Sequence, residues 1–402
     1  MMTSKFERVK QNELCAGCGL CGSVFSKIDI KYSEKGYIRP YTKEELTVEE
    51  DEMFGEFCPG YTIKHNLVGV RDYVWGSHED IVLSYSTDEG IREMASSGGV
   101  LSSLLIFLLE TGKIDAVIHI GAAEDNPLLN EVKISYTKEE ILSNAGSRYS
   151  PSAPLSNIAD LLESDRVYAF VGKPCDAGAL RMFAKVDKRV EERIPYILSF
   201  FCAGVPSTEG TKNILRKFNV KEEEVRSFRY RGEGWPGLTK IVTKNGRTFT
   251  MKYEESWGKI LNRTLQRRCK ICIDGIGEFA DIVCGDGWFG DKKGYPKFEE
   301  GKGRSLVVIR NQKGKEIFEE ALKQNYVAVE SKVDFKYMKN IQPFQYDRRT
   351  TLIAKILSMK LFNIKTPIYS WKVMFKSAKY SNIKGLARTF AGTSKRIIDK
   401  RL

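Results

Sequence analysis

The chain has 402 residues, 42% of them hydrophobic, which is enough for a sizeable core and two or three domains. Its net charge of +12 is concentrated at one end: residues 355–402 hold twelve Lys or Arg against a single acid, leaving only +1 on the other 354 residues. A body so nearly neutral excludes nucleic acid as its partner, and the longest apolar run, Val100 to Leu109, falls short of the roughly 20 residues of a membrane span. The polar N-terminus lacks the basic, apolar and small-residue series of a signal peptide. The nine cysteines are therefore expected in a reducing cytoplasm, grouped as metal ligands and not as disulfides.

Residues 1–66 make a first, loop-rich unit that opens on CAGCGLCGSVF, with Cys15, Cys18 and Cys21 at intervals of three. Such spacing wraps three thiolates around one cuboidal cluster, and Gly17, Gly19 and Gly22 provide the permissive backbone. Phe25 stands where a two-cluster ferredoxin run would place its fourth cysteine, so one cluster is expected in this unit. Cys58, followed by Pro59, is the nearest remaining ligand and completes a 4Fe-4S set. A zinc knuckle, which builds from two separated CxxC pairs, suits the spacing less well.

From Val74 the character becomes mixed α/β, over a second unit at 67–340. STDEGIREM offers a short capped helix, Val100 to Leu109 a buried one, and IDAVIHI a strand in which His119 is expected as a satisfied core residue. VYAFV (167–171) and YILSFF (196–201) are short continuous apolar runs separated by helical sequence, the pattern of parallel strands buried on both faces. Asn245-Gly246 between alternating stretches signals a hairpin, and SLVVIRN one more strand. GEGWPG formally satisfies a dinucleotide-binding pattern but precedes a hairpin and contains Pro236, which excludes that role. Around it, FRYRGEGW is either a loop closing Arg229, Arg231 and Trp235 over a ligand or a solvated basic loop.

A second cysteine set comprises Cys175 in GKPCDAG, Cys202 in FCAGVPS, and Cys269 with Cys272 in CKIC. If the two apolar strands are parallel neighbours, Cys175 and Cys202 emerge on one sheet edge, where CKIC would close a metal site; spacing alone leaves zinc and iron–sulfur both open. Cys284 reads as a strand residue. With three histidines in the chain and no Ser, His and Asp grouping, hydrolysis finds no support. Residues 341–402 form a basic helical tail in which Ile368, Trp371 and Phe375 recur at helical spacing while Lys372, Lys376 and Lys379 share another face. That layout suits an interfacial helix on an anionic membrane, with a helix docked on the catalytic body or an RNA contact as alternatives.

SSGG opening a helix, GSRY, GKPC, FCAGVPS, and CxxC followed by ADIVCGDGW resemble the coenzyme F-420 hydrogenase/dehydrogenase beta-subunit family over about Ser84 to Asn311. With the ferredoxin-type unit in front and the basic tail behind, the chain looks like bacterial members associated with surface polysaccharide synthesis. The resemblance implies FAD and a 4Fe-4S cluster held by Cys175, Cys202, Cys269 and Cys272. Its flavin contacts would fall on Ser97, Gly98 and Gly99 and on Ser147, Arg148 and Tyr149. A Ser-Gly-Gly at a helix start offers free N–H groups to a pyrophosphate, and Arg148 with Tyr149 would hold a phosphate and stack on a ring. Lys173 and Tyr149 are the candidates for proton donation.

The main expectation is thus a cytoplasmic enzyme, peripheral at the inner membrane face, that passes electrons from reduced ferredoxin through two 4Fe-4S clusters to FAD. Its final acceptor would be a small-molecule or lipid-linked glycan substrate in polysaccharide synthesis. The alternatives are an electron-transfer subunit or deazaflavin oxidoreductase, and a metal-stabilised binding protein without flavin.

Overall fold

The computed structural model describes residues 4–65, 72–290, 297 and 299–399; the expected domain boundary at 66/67 lies outside them. The strands are β1 (Ile28–Tyr32), β2 (Ile38–Thr42), β3 (Asp80–Ser86), β4 (Ala116–Ala122), β5 (Asn130–Ser135), β6 (Tyr168–Gly172), β7 (Tyr196–Phe200), β8 (Val225–Arg229), β9 (Leu238–Thr243), β10 (Thr248–Lys252), β11 (Ile282–Asp286), β12 (Ser305–Ile309) and β13 (Val327–Lys332). β1 and β2 form a hairpin in the N-terminal unit, and β8, β9 and β10 a small antiparallel sheet built around the Asn245-Gly246 turn. The remaining eight strands form one sheet in the order β13-β3-β12-β11-β7-β6-β4-β5.

Its centre is parallel, pairing β4 with β6, β6 with β7 and β7 with β11. The flanking strands are antiparallel, so the sheet is mixed and not parallel throughout. β6 is buried along its whole length, and alternate residues enter opposite cores: Ala169, Val171 and Leu198 on one face, Phe170 and Ile197 on the other. The first face is covered by the helices Val100–Glu110 and Gln312–Lys323. On the second face the helix Pro174–Phe183 shares one core with the N-terminal unit (Phe54, Phe57) and the C-terminal segment (Leu352, Ile356, Val373).

The segment after residue 341 is therefore an integral part of the body. Its helices Pro343–Thr350, Leu352–Leu361, Trp371–Ala378 and Ile383–Ile398 bury Ile356, Met359 and Val373. Its backbone is also tied to the N-terminal unit, by Ile63 N–H to the Ile368 carbonyl (3.2 Å) and Ile368 N–H to the Tyr61 carbonyl (2.8 Å). Among the described residues no helix is long and apolar enough to cross a membrane, and Val100–Glu110 is the buried helix its sequence implied.

His119 is 7% exposed, with Nε2 at 2.7 Å from Ser135 Oγ. Burial lowers its pKa to about 4, so it is neutral in the folded chain at pH 7. An unfolded histidine takes up its proton near pH 6.5, so stability is unaffected above that pH and is lost as pH falls from 6.5 towards 4, by up to about 3 kcal/mol. Chemical denaturation at pH 7 and pH 4.5 should show this loss in the wild type and a smaller one in His119→Asn.

Candidate functional site

Cys15, Cys18, Cys21 and Cys58 line one cavity of about 20 Å³ together with Phe54 and Phe57, so the structure brings Cys58 to the other three cysteines. Gly19, in the left-handed region at φ 89°, turns the chain so that the short helix Leu20–Val24 carries Cys21 back towards Cys18. Gly17 N–H lies 3.3 Å from Cys15 Sγ, and the backbone N–H groups of Leu20, Gly22 and Gly60 face Cys18, Cys21 and Cys58. Burial, then Asp176 and Cys15, push Cys18 up to about 12, and burial with neighbouring thiols raises Cys21 and Cys58 as well. Thiols so placed become thiolates only around a cation, which is what a metal centre provides. Among the described residues no three His, Cys, Asp or Glu converge tightly enough for a single ion. The four sulfurs line a common space.

Cys175 sits in the first turn of the helix Pro174–Phe183, Cys202 follows β7, and Cys269 and Cys272 flank the end of the helix Arg267–Lys270. Each of Cys175 and Cys202 lies in electrostatic contact with Cys272, and Cys202 also with Cys269. Burial and Cys269 push Cys202 up to about 12 against the pull of Arg348. Val205 N–H and Gln266 Nε2 reach Cys269 Sγ at 3.3 and 3.4 Å. The second set therefore converges as a thiol-lined site in its own right.

The two sets adjoin. Gln266 Nε2 touches both Cys269 Sγ and, at 3.5 Å, the Ala16 carbonyl. Arg268 donates to the Pro59 carbonyl at 3.0 Å and lies beside the Cys272 thiol. Between Cys18 and Cys175 lies the buried pair Lys173–Asp176, with Nζ at 2.7 and 2.9 Å from the carboxylate oxygens.

Along the C-terminal edge of the parallel strands opens a cavity of about 450 Å³. It is lined by the start of the helix Val100–Glu110, residues 144–150, Lys173, the Cys202–Pro206 turn and Asp286, and is closed by Ile341 to Gln345 from the C-terminal segment. Tyr149, Trp257, Tyr253 and Trp288 present aromatic faces to it. Arg231, 2% exposed, is clamped by Asp286 through bonds of 2.7 and 2.8 Å. Cys284 lines the cavity from β11 as a buried strand residue.

Of the residues the sequence assigned to a flavin, Ser97, Gly99, Ser147, Arg148 and Tyr149 line this cavity. Gly99 caps the helix without a side chain, leaving the N–H groups of its first turn open. Gly98 is turned away: a Cβ there would lie 2.5 Å from the Ser305 backbone nitrogen, so its role is close packing of the helix start on β12. Ser97 Oγ is engaged with the Arg304 carbonyl at 2.9 Å. Arg148 does not fit the phosphate clamp expected of it. Its Nε binds Asn130 Oδ1 (2.7 Å), and its other nitrogens bind the carbonyls of Phe228, Pro127 and Leu129 (2.8–3.1 Å), so each nitrogen is engaged in tying β5 and the turn before it to β8.

Lys173 also departs from expectation. Burial lowers its pKa, but Asp176 and Cys175 raise it further, so it stays an ammonium and is a poor proton donor near neutrality. Of the FRYRGEGW cations, Arg231 lines the cavity while Arg229 is turned to the Met94 carbonyl, and Trp235 stacks on Trp288 at 4.9 Å; the loop is locked in place. Sequence reasoning missed Asp286, Trp288 and Phe344 of the cavity wall and the cations Arg268 and Arg348. Arg268 was visible only as the second Arg of RRCKIC, beside a ligand.

Comparison with known proteins fixes the family. Residues 81–159 match the N-terminal part and residues 165–334 the C-terminal part of the coenzyme F420 hydrogenase/dehydrogenase beta subunit, together well over half of the chain. The chain belongs to that family. It is 26% identical over 255 residues to the F420-dependent formate dehydrogenase subunit beta of Methanocaldococcus jannaschii, covering 62% of this chain and 61% of that one. It is 27% identical to the coenzyme F420 hydrogenase subunit beta of Methanococcus voltae (60% and 80%). The coenzyme F420-dependent sulfite reductase of M. jannaschii is 25% identical over 362 residues, 86% of this chain and 51% of that protein. The chain thus spans between about half and four-fifths of these relatives. Its fold resembles a chain of the F420-reducing [NiFe] hydrogenase complex from Methanosarcina barkeri, with a TM-score of 0.57, 23% identity, and coverage of 74% of this chain and 98% of that one.

Two of these relatives are named as beta subunits of an F420-dependent dehydrogenase and a coenzyme F420 hydrogenase and the third as an F420-dependent sulfite reductase, which overturns the main functional expectation. None is named for polysaccharide synthesis or a glycan substrate, and the alternative of an electron-transfer subunit or deazaflavin oxidoreductase fits them better.

The Lys173–Asp176 pair yields a stability test. Removing one partner leaves an uncompensated buried charge, so Asp176→Asn should cost about 3–5 kcal/mol, whereas the double replacement Lys173→Met with Asp176→Leu should cost clearly less. Urea denaturation of the three chains checks the order.

Proposed function

We propose that this chain is the electron-transferring subunit of an oxidoreductase that exchanges electrons with a deazaflavin coenzyme, holding an iron–sulfur cluster at each cysteine set and FAD in the cavity. The observation that carries this reading is the sharing of one turn: Cys202 belongs to the second thiol set and at the same time lines the cavity. A group in the cavity therefore lies against the metal site, and the metal site against the N-terminal set. When bound, a flavin supplies the exchange between two-electron hydride chemistry and single electrons.

The chain's own residues prepare the place. The open first turn at Val100 to Ser102 presents N–H groups and the positive end of the helix to a pyrophosphate. The faces of Tyr149 and Trp257, 4.9 Å apart, offer stacking surfaces. Asp286 fixes Arg231 in position, and Lys173 with Asp176 places a neutral but strongly dipolar pair between the cavity and the first cysteine set. Partners follow from the relatives, which are themselves subunits: a companion chain bearing the other half-reaction is expected to co-purify.

Anaerobic purification should give a brown protein with about eight iron and eight sulfide per chain and one flavin, and reduced deazaflavin should be oxidised with a viologen as acceptor. A colourless protein, or zinc without sulfide, would sink the assignment.

A distinct observation favours a contact with an anionic membrane surface. Although the C-terminal helices are docked, Ile368 (47% exposed), Trp371 (38%) and Phe375 (57%) remain on the outside beside the exposed Lys372, Lys376 and Lys379. Each such cation is worth about 1 kcal/mol near an anionic leaflet. Vesicles rich in phosphatidylglycerol should float the protein at low salt and lose it at high salt, with Trp371→Ala and Phe375→Ala weakening the effect. Equal flotation with neutral vesicles, or none at low salt, would remove the contact.

A further inference from the structure

The surroundings of the two cysteine sets differ in one respect. Around the N-terminal set the polar neighbours are backbone N–H groups, the Lys173–Asp176 pair, which carries no net charge and also adjoins Cys175, and one half-buried cation, Arg39, whose Nη1 donates to the Ile38 carbonyl and to Gln266 Oε1. Around the second set stand two buried cations. Arg268 is 2% exposed, makes no ion pair with a carboxylate among the described residues, and leaves its Nε without a partner. Its neighbours are the Cys272 thiol, whose Sγ–H is directed to the Asp274 carbonyl at 3.1 Å, Cys175, the Pro59 carbonyl and the ring of Tyr369. Arg348, 7% exposed and likewise without a carboxylate partner among the described residues, lies beside Cys202; it donates to the Cys202 carbonyl at 3.0 Å and to the Cys269 carbonyl. A guanidinium is not stably buried without an anion, and the anions within reach are the thiolates of this set.

We propose that Arg268 and Arg348 are positioning residues that hold the reduction potential of the cluster at Cys175, Cys202, Cys269 and Cys272 above that of the cluster at Cys15, Cys18, Cys21 and Cys58. The inference rests on the reading of both sets as iron–sulfur sites. Reduction of a four-thiolate cluster adds one electron and one negative charge, with no bond made or broken. A fixed cation beside the sulfurs stabilises the reduced form more than the oxidised one, and a hydrogen bond to sulfur acts in the same direction. The N-terminal set has the hydrogen bonds but only the half-buried Arg39 for a cation, where contact with water screens the charge, against two buried guanidinium groups at the second set. An electron shared between the two therefore rests on the set that borders the cavity, where a two-electron carrier can collect it.

Dithionite titration of the anaerobic chain, followed by electron paramagnetic resonance, tests this, with Cys18→Ala and Cys202→Ala assigning each wave to its set. In the wild type the Cys202-dependent wave should lie at the higher potential. Arg268→Met should lower that wave alone, cutting the reduced fraction at fixed potential by about tenfold, which is 59 mV for one electron. Arg268→Lys, which keeps the charge, should stay near the wild type. Should Arg268→Met fail to fold, Arg348→Gln decides, because its contacts are two carbonyls and the ring of Phe344; it should lower the same wave several-fold. A reversed order of the two wild-type waves, or an unchanged second wave in a neutral variant that keeps its iron, would overturn the proposal. Absence of iron and sulfide from the wild type would instead refute the reading of the sites on which it rests.

Discussion

A positive charge buried without a carboxylate is a demand for an anion, and the region around Cys272 is organised by it. Arg268 reaches this place from the helix Arg267–Lys270 and Arg348 from Pro343–Thr350, and neither finds a carboxylate partner among the described residues. The thiols opposite have the complementary difficulty: burial and their neighbours hold Cys175 and Cys202 in the uncharged form. Thiolates beside guanidinium groups, bridged by the proposed metal, would relieve both at once and tie part of the local folding free energy to occupancy of the site. The same logic accounts for thiols drawn from three distant stretches of chain: a metal bound there would tie Cys175, Cys202 and the Cys269–Cys272 pair together.

The sheet makes that convergence geometrically cheap. Because β6, β7 and β11 are parallel neighbours, Gly172, Phe200 and Asp286 end on one edge, and whatever follows each strand begins life at the same place. After β6 comes Lys173 with Cys175, after β7 comes Cys202, and at the end of β11 stands Asp286 with Trp288 close behind. The N-terminal unit and the C-terminal helices then pack on the second face of the sheet, through Phe57 against Phe183 (5.4 Å between rings) and the hydrogen bond from Tyr369 to the Ile271 carbonyl (2.9 Å). One metal set is thereby built on the body and the other leaned against it, with Gln266 and Arg268 spanning the seam.

Signals that depend on one short stretch were legible in the sequence. The CxxCxxC run and Cys58-Pro59 place four sulfurs around one cavity because spacing and a following proline act locally, and the apolar runs of β6 and β7 announce strands buried on both faces. Signals that depend on which partner arrives from elsewhere were not. Arg148 looked like a phosphate clamp, and only the tertiary arrangement shows its nitrogens taken by Asn130 and three carbonyls. Gly98 looked like a ligand contact and is a packing contact against Ser305. Lys173 looked like an acid until Asp176, three residues on, was seen to hold its proton. The substrate expectation failed for a further reason: a likeness between whole domain layouts, a cysteine unit in front and a basic tail behind, says nothing about what enters the cavity.

The C-terminal segment shows why net charge is a blunt measure of function. A basic run reads as a solvated or membrane-facing tail, yet two neighbouring arginines at its start are buried. Arg348 caps the carbonyls of Cys202 and Cys269, while Arg349 pairs with Glu278 at 2.8 Å and binds the Tyr73 carbonyl at 3.0 Å. Glu278 in turn is held well below the usual carboxylate range: burial opposes this, but Arg349 and His65 outweigh it. Of these inward cations, Arg348 serves the second cysteine set and Arg349 the packing around Glu278. The outward ones, Lys372, Lys376 and Lys379, lie beside exposed aromatic rings and make no ion pair among the described residues, so they are available to a surface. Burial, more than composition, divides one stretch of positive charge into a part that packs inside the body, beside the second cysteine set, and a part that faces solvent.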